Sequence, residues 1–254
     1  MYIEDYLIHK NILIKGVCNN LETERTREIY SSMNEVWPHN NAWYTYLHNK
    51  IVNYVEKMLS PYMSENSVFL NAGSGGSIYN LKGTCYHVDI VANLIQNLSN
   101  AYVASVEKLP FKNDTFDSII CVGSVINYCS AFESIMEFSR TIRKNGILII
   151  EFERSQSAEL WFSKDFNKQA TLQHYNYLNN IHTLWLYSEN YVCKVLKEAG
   201  FKILNKKRLH TLSAIINRYT HNEIFAGEFG KYDFFLSPLS YLAAHNIIIT
   251  CKKL

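Results

Sequence analysis

Apolar side chains along the chain recur in patterns that predict regular structure before any residue is given a role. Between residues 42 and 59, Trp43, Tyr46, Leu47, Ile51, Tyr54, Val55 and Met58 return at intervals of three and four, the spacing of one helix face, and Pro61 ends the run. Val68, Phe69 and Leu70 form a short continuous apolar run, as do residues 119–122, 147–150 and 247–249. Runs of this length suit strands buried on both faces. Helices are predicted over residues 135–143 and 195–199, the first followed by a turn at Lys144-Asn145-Gly146 and the second stopped by Gly200 ahead of a strand at 201–203. Strands and helices that alternate in this way imply an α/β sheet.

The connection after Leu70 carries the first chemical signal. Gly73, Gly75 and Gly76 allow a sharp turn and a close backbone approach to a ligand, and Asp89 closes the following strand. A carboxylate so placed can accept from both hydroxyls of a ribose, so the pair suits an adenosine. Further on come Val106-Glu107-Lys108-Leu109-Pro110-Phe111 and then Phe116-Asp117 at the start of an apolar strand. In this order the chain resembles the class I S-adenosylmethionine-dependent methyltransferases, of the type 11 group, over residues 66–153 and again over 188–208. A nicotinamide dehydrogenase would share the turn and Asp89 but has no reason to carry the Leu-Pro-Phe and Phe-Asp pair.

The resemblance implies a Rossmann-like fold: a seven-stranded, mostly parallel sheet with an antiparallel last strand and helices on both faces. It implies S-adenosylmethionine as cofactor and S-adenosylhomocysteine as product. Asn71, Ala72, Gly73, Ser74 and Gly75 are expected around the methionine end and ribose, Asp89 and Ile90 at the ribose. Ser105, Val106 and Glu107 are expected at the adenine edge, and Gly123 and Ser124 beside the sulfonium. Three positions depart from the family pattern. Asn71 and Ser105 stand where acids are common, and Ser77 where a further glycine is common. An amide accepts a hydrogen bond without the charge that makes such bonds about twice as strong. A non-catalytic, methyltransferase-like binding protein therefore stays open as an alternative.

Methyl transfer from a sulfonium needs mainly an acceptor lone pair placed behind the methyl group, and a base only for an acceptor that arrives protonated. The candidates follow from position. Glu151, Tyr128 and His48 are expected as catalytic groups, Glu151 sharing a strand face with Glu153. Trp43, Asn127, Tyr128, Trp161 and Trp185 are expected to contact substrate, the tryptophans as part of an aromatic cap that suits a planar or cationic acceptor. For each, a packing or capping role is the competing explanation. Among the other histidines, His39, His174 and His182, the last is the next candidate for a base.

Composition narrows the class of partner. The chain has 254 residues, 48% hydrophobic and 19% charged, with a net charge of +2. That length suits one α/β domain with appended elements. The charge is too mild for a duplex nucleic-acid partner, and Lys206-Lys207-Arg208 is the one compact basic run. Six cysteines, Cys18, Cys85, Cys121, Cys129, Cys193 and Cys251, show no metal-ligand spacing, which points to reduced thiols, no metal and a cytoplasmic setting. The acidic start and the lack of a ~20-residue apolar run predict no secretory signal and no membrane span.

Residues 1–62 are expected to form an N-terminal helical cap. Residues 63–254 are expected to form the cofactor-binding domain, with insertions at 154–187 and 209–245 that build the substrate site. The expected activity is methyl transfer to oxygen or nitrogen of a small molecule. A protein or RNA acceptor is the alternative within the same chemistry.

Overall fold

A computed structural model describes the backbone of residues 2–3, 6–9, 12–15, 20–33, 36–38, 40–177 and 180–254. It describes the side chains of residues 25–33, 36–38, 40–175 and 181–254, so Cys18 and His39 lie outside the described residues. In chain order the strands are β1 (Tyr2–Ile3), β2 (Tyr6–His9), β3 (Ile12–Lys15), β4 (Val68–Ala72), β5 (Thr84–Asp89), β6 (Ala101–Val103), β7 (Phe116–Cys121), β8 (Ile142–Glu153), β9 (Ala170–Tyr177), β10 (Asn180–Tyr187), β11 (Phe201–Leu209) and β12 (Asn246–Lys253). The helices are α1 (Asn20–Ser31), α2 (Ala42–Leu59), α3 (Ala92–Ile95), α4 (Ala131–Thr141), α5 (Glu189–Glu198), α6 (Thr211–Thr220), α7 (Glu223–Gly227) and α8 (Ser240–Ala243).

Seven strands form one sheet in the order β11-β12-β8-β7-β4-β5-β6. Neighbours from β8 to β6 run parallel, while β12 is antiparallel to both β8 and β11. This is the Rossmann-like, mostly parallel sheet with an antiparallel last strand that the resemblance implies. Both faces are buried, which explains the continuous apolar runs. Along β8, Ile147 and Ile149 point to one core while Leu148, Ile150 and Phe152 point to the other, as period two requires. α4 and α5 supply Ile135, Phe138, Val192, Val195 and Leu196 to the second of these cores.

The first core is closed by α2, whose Leu47, Ile51, Tyr54, Val55 and Leu59 meet Phe69, Ile120 and Ile248. Each such side chain, fully buried, contributes about 1.5–3 kcal/mol. Spacing therefore gives the bounds of α2 correctly, and Asn41 caps it by accepting from the Trp43 amide. The expectation of a helical cap over 1–62 needs correction on two counts. α2 is a layer of the main domain, because its apolar stripe is buried on the sheet. The described residues 2–3, 6–9 and 12–15 are not helical: as β1, β2 and β3 they form a small antiparallel sheet. The turn expected at residues 144–146 lies inside β8, as an irregularity where the register with β7 jumps from Phe116–Ile142 to Ser118–Ile147 and Asn145 adopts φ 68°.

The insertion at 154–187 folds into the antiparallel hairpin of β9 and β10. The insertion at 209–245 supplies α6, α7 and α8. Cys85, Cys121, Cys129, Cys193 and Cys251 carry free thiols. Among the described residues, no helix is long and apolar enough to cross a membrane.

Candidate active site

β4, β5 and β7 all end at the same edge of the sheet, and β4 sits where the strand order reverses, between β5 and β7. Ligands of open α/β sheets bind in the crevice at such a switch point. Here the crevice is a cavity of about 920 Å³, mouth included. The turn after β4 is fixed by the Gly73 and Ser74 amides, which donate to the Val88 carbonyl at 2.8 and 2.9 Å. Gly73 has φ +71°, and a Cβ there would lie 2.3 Å from a methyl group of Val125, a residue of the cavity wall. Only glycine leaves that wall in place.

Asp89 is 8% exposed and faces the cavity. Its Oδ2 accepts from the Gly75 amide at 2.7 Å and its Oδ1 from the Val91 amide at 2.9 Å. Burial raises its pKa, while the amide donors oppose the shift. Each carboxylate oxygen keeps a further lone pair for a ligand.

Gly73, Ser74, Gly75, Asp89, Ile90, Ser105, Val106, Glu107 and Gly123 line this cavity, and Ser124 lines the one beside it. Asn71 and Ala72 do not. Asn71 is buried beneath the turn, where its Nδ2 donates to Ser74 Oγ at 3.2 Å and to the Ser77 carbonyl at 2.9 Å. It shapes the turn from below, so an acid is not needed there to touch a ligand. Ala72 is wholly within the core. Glu107 lines the cavity, and its Oε1 accepts from the Ser130 amide ahead of α4 at 2.6 Å. From above, Thr26 and Tyr30 of α1 close the space together with Trp37 and His48, whose rings stack at 4.8 Å. Thr26 and Tyr30 were not legible in the sequence, because nothing local says that α1 lies over the sheet edge.

A second cavity of about 770 Å³, mouth included, adjoins the first and shares Tyr30, Val36, Trp37, Gly123 and Tyr128 with it. At the seam, Tyr30 donates to the Tyr128 hydroxyl at 3.2 Å, and Tyr128 lies 3.1 Å from His182 Nδ1. With Tyr30 as donor, Tyr128 donates to an unprotonated Nδ1, consistent with burial holding the His182 pKa below its ordinary value. Deeper in the chamber stand Trp43, Glu153, Glu159, Glu223 and His245. His245 bridges two carboxylates, Glu153 at 3.3 Å and Glu159 at 3.4 Å. Burial disfavours the charged imidazole, but Glu159 and Glu153 outweigh it and hold His245 well above its ordinary range. Glu223 accepts from Asn41 and from the Tyr44 hydroxyl, and burial raises its pKa. No group of three or more His, Cys, Asp or Glu among the described residues is placed to hold a metal ion.

Several substrate and catalytic expectations need correction. Glu151 faces neither cavity: it is fully buried beneath the β7 exit, where Oε2 accepts from the Gly123 and Ser124 amides at 2.8 Å and Oε1 accepts from Asn246. Asn127 is also fully buried, with Nδ2 donating to the Glu153 and Trp185 carbonyls at 3.0 and 2.6 Å and Oδ1 accepting from the Glu153 amide. It clamps β8 to β10. Trp161 donates to the Leu242 carbonyl of α8 and Trp185 belongs to the main core, and neither lines the two cavities. Trp43 does, stacked on His210 at 4.0 Å, and so does Tyr128. Asn127→Ala strands three backbone groups and is expected to cost about 2–3 kcal/mol in urea denaturation. An unchanged midpoint would contradict the clamp.

Residues 70–150 match a family model described as a methyltransferase domain. A protein of uncharacterized function from Methanocaldococcus jannaschii is 29% identical over 108 residues, 40% of this chain and 43% of that protein. The chain thus spans less than half the length of the curated relative it matches. Among solved structures, the 1,6-didemethyltoxoflavin-N1-methyltransferase of Burkholderia thailandensis, with 1,6-didemethyltoxoflavin and S-adenosylhomocysteine bound, superposes with a TM-score of 0.55 at 14% identity, over 92% of this chain and 87% of that one. The geranyl diphosphate C-methyltransferase of Streptomyces coelicolor superposes with a TM-score of 0.56 at 11% identity, over 92% and 98%. At such identities the likeness is one of fold, and the matched domain carries the assignment. The chain thus carries a methyltransferase domain over residues 70–150, on the sheet fold that S-adenosylmethionine-dependent methyltransferases share.

Proposed function

We propose that the protein methylates an oxygen or nitrogen of a small molecule held in the second cavity. One observation carries the reading: the two cavities share walls at Tyr30, Trp37, Gly123 and Tyr128, so a nucleoside in the first and an acceptor in the second meet across that seam. When bound, S-adenosylmethionine supplies a methyl carbon already activated by the sulfonium, so the protein's part is chiefly orientation. Gly73 and Gly75 admit the methionine end, Asp89 takes the ribose hydroxyls, and Ser105, Val106 and Glu107 border the adenine. Tyr128, held between Tyr30 and His182, positions the acceptor.

The size of the second chamber favours a small acceptor, since ligand cavities run to about 300–1,000 Å³. A protein or RNA acceptor has less support. Lys206, Lys207 and Arg208 line a separate hollow with Lys50 and Lys231, and Glu189 pairs with Lys206 and Arg208. A purely structural, non-catalytic role is disfavoured because the first cavity is not filled by the chain's own side chains. In the test, purified protein is offered S-adenosylmethionine and a library of small amines, phenols and alcohols, and S-adenosylhomocysteine is quantified. The expected result is acceptor-dependent product and cofactor binding with a Kd on the order of 1–100 μM. Absence of cofactor binding in calorimetry would remove the proposal.

Glu151 gives this site a pH signature. Burial pushes its pKa up to about 7, against the hydrogen bonds donated by Ser124, Asn246 and Gly123. The carboxylate fixes the Gly123–Ser124 backbone at the seam, so cofactor affinity is expected to fall as pH drops through about 7. Folding stability follows the opposite sign. The folded pKa is raised, so this group's contribution is complete below the ordinary carboxylate range and is lost as pH rises through about 7. Binding titrations between pH 6 and 8 should show the slope in the parent and lose it in Glu151→Gln. An equal slope in both would contradict the assignment.

A further inference from the structure

From the walls of the second cavity we infer that the acceptor carries a cationic amine, an inference that rests on the methyltransferase reading above. The cavity is bordered by three carboxylates, Glu153, Glu159 and Glu223, and among the described residues by no lysine or arginine. His245 offsets one of these charges, as it bridges Glu153 and Glu159. The balance stays negative.

Two polar groups on this wall are left for a ligand. Glu153 engages His245 through Oε2, and its Oε1 has no partner among the described residues. The Tyr175 hydroxyl likewise makes no hydrogen bond among the described residues, though burial and the nearby Glu159 and Glu153 hold the phenol well above its ordinary pKa and so keep it neutral. Both residues are partly buried at the cavity wall, where a bound donor can reach the carboxylate oxygen and the phenol. An ammonium has donors for both and no acceptor to waste. Trp43, Tyr44 and Tyr128 add aromatic rings to the lining, and a ring face attracts cations and repels anions. A carboxylate or phosphate acceptor would meet a net negative lining.

The test uses the full chain saturated with S-adenosylhomocysteine and charge-matched probes of one shape: phenethylamine, phenethyl alcohol and phenylacetate, with the corresponding naphthyl set. Calorimetry is expected to show the amines bound at least about tenfold more tightly than the alcohols, and the acids weakest. Glu153→Gln and Glu223→Gln, each checked for an unchanged melting transition, should narrow the gap between amine and alcohol about fivefold or more while cofactor affinity stays at the parent value. Alcohol or acid bound as tightly as the amine, no binding of any probe at about 1 mM, or a gap unaltered in both variants would overturn the inference. Cofactor affinity is measured in the same samples. Its loss would instead sink the methyltransferase reading, so the two failures are distinguishable.

Discussion

Asp89→Ala is expected to weaken S-adenosylmethionine binding by at least about 100-fold, measured by calorimetry, with the melting transition recorded alongside. Two effects act together. A carboxylate that accepts from both ribose hydroxyls makes two charge-assisted bonds, each contributing about 1.5–3 kcal/mol. The same oxygens accept from the Gly75 and Val91 amides, so the alanine also releases the turn that Gly73 begins. Asp89→Asn separates the two effects, because an amide can still accept on one side. It should fall between parent and alanine. An alanine variant that binds as the parent does would mean that the nucleoside is held elsewhere.

Arg154→Leu is expected to be the most damaging change to the fold, at about 3–5 kcal/mol in urea denaturation. Arg154 is fully buried where β8 ends. Its Nη1 donates to the Ser240 and Ala244 carbonyls at 3.1 and 3.2 Å and its Nη2 to the Tyr241 carbonyl at 2.5 Å, so it holds both ends of α8. Glu189 lies 3.7 Å away and also gathers Lys206 and Arg208. Burial lowers the Arg154 pKa to about 10 and Glu189 opposes the shift, so the guanidinium is charged at neutral pH. Leucine would leave the Tyr241 and Ala244 carbonyls without the guanidinium, the Ser240 carbonyl with the Ala244 amide alone, and Glu189 short of one cation. The Arg154 amide also donates to the His245 carbonyl at 2.8 Å, which ties this anchor to the second cavity. Acceptor binding should weaken with stability. A loss under about 1 kcal/mol, the scale of a surface ion pair, would contradict this account.

What the sequence disclosed and what it hid follow from the range of the interactions. α2 was legible to its last residue because helix spacing is a local signal and Asn41 and Pro61 punctuate it. That these residues would line one cavity was legible because a glycine turn, Asp89 and Ser105-Val106-Glu107 each sit at a strand end, and strand ends share one edge of a parallel sheet. Alternation put Glu151 and Glu153 on one face correctly, yet could not say that Glu151 lies under the Gly123 amide while Glu153 lies two residues further out, at the open chamber. Asn127 follows the fourth strand of the family pattern as an acceptor-side residue would. Its partners, Glu153 and Trp185, lie 26 and 58 residues away, and only they show that it is a clamp. Trp161 and Trp185 were aromatic residues in an insertion, a description that packing and ligand contact fit equally well. Glu153, Glu159, Glu223 and His245 come from one strand end and two insertions, and no spacing announces that they share a wall.

The central claim is that the cavity between the Gly73 turn and Asp89 holds the nucleoside and delivers the methyl group across Gly123 and Tyr128. A crystal structure with S-adenosylhomocysteine tests it most directly. The expected density places both ribose hydroxyls on the Asp89 carboxylate and the sulfur at the seam with the second cavity. Density for the nucleoside in another hollow, or a sulfur turned away from Tyr128 toward bulk solvent, would contradict it.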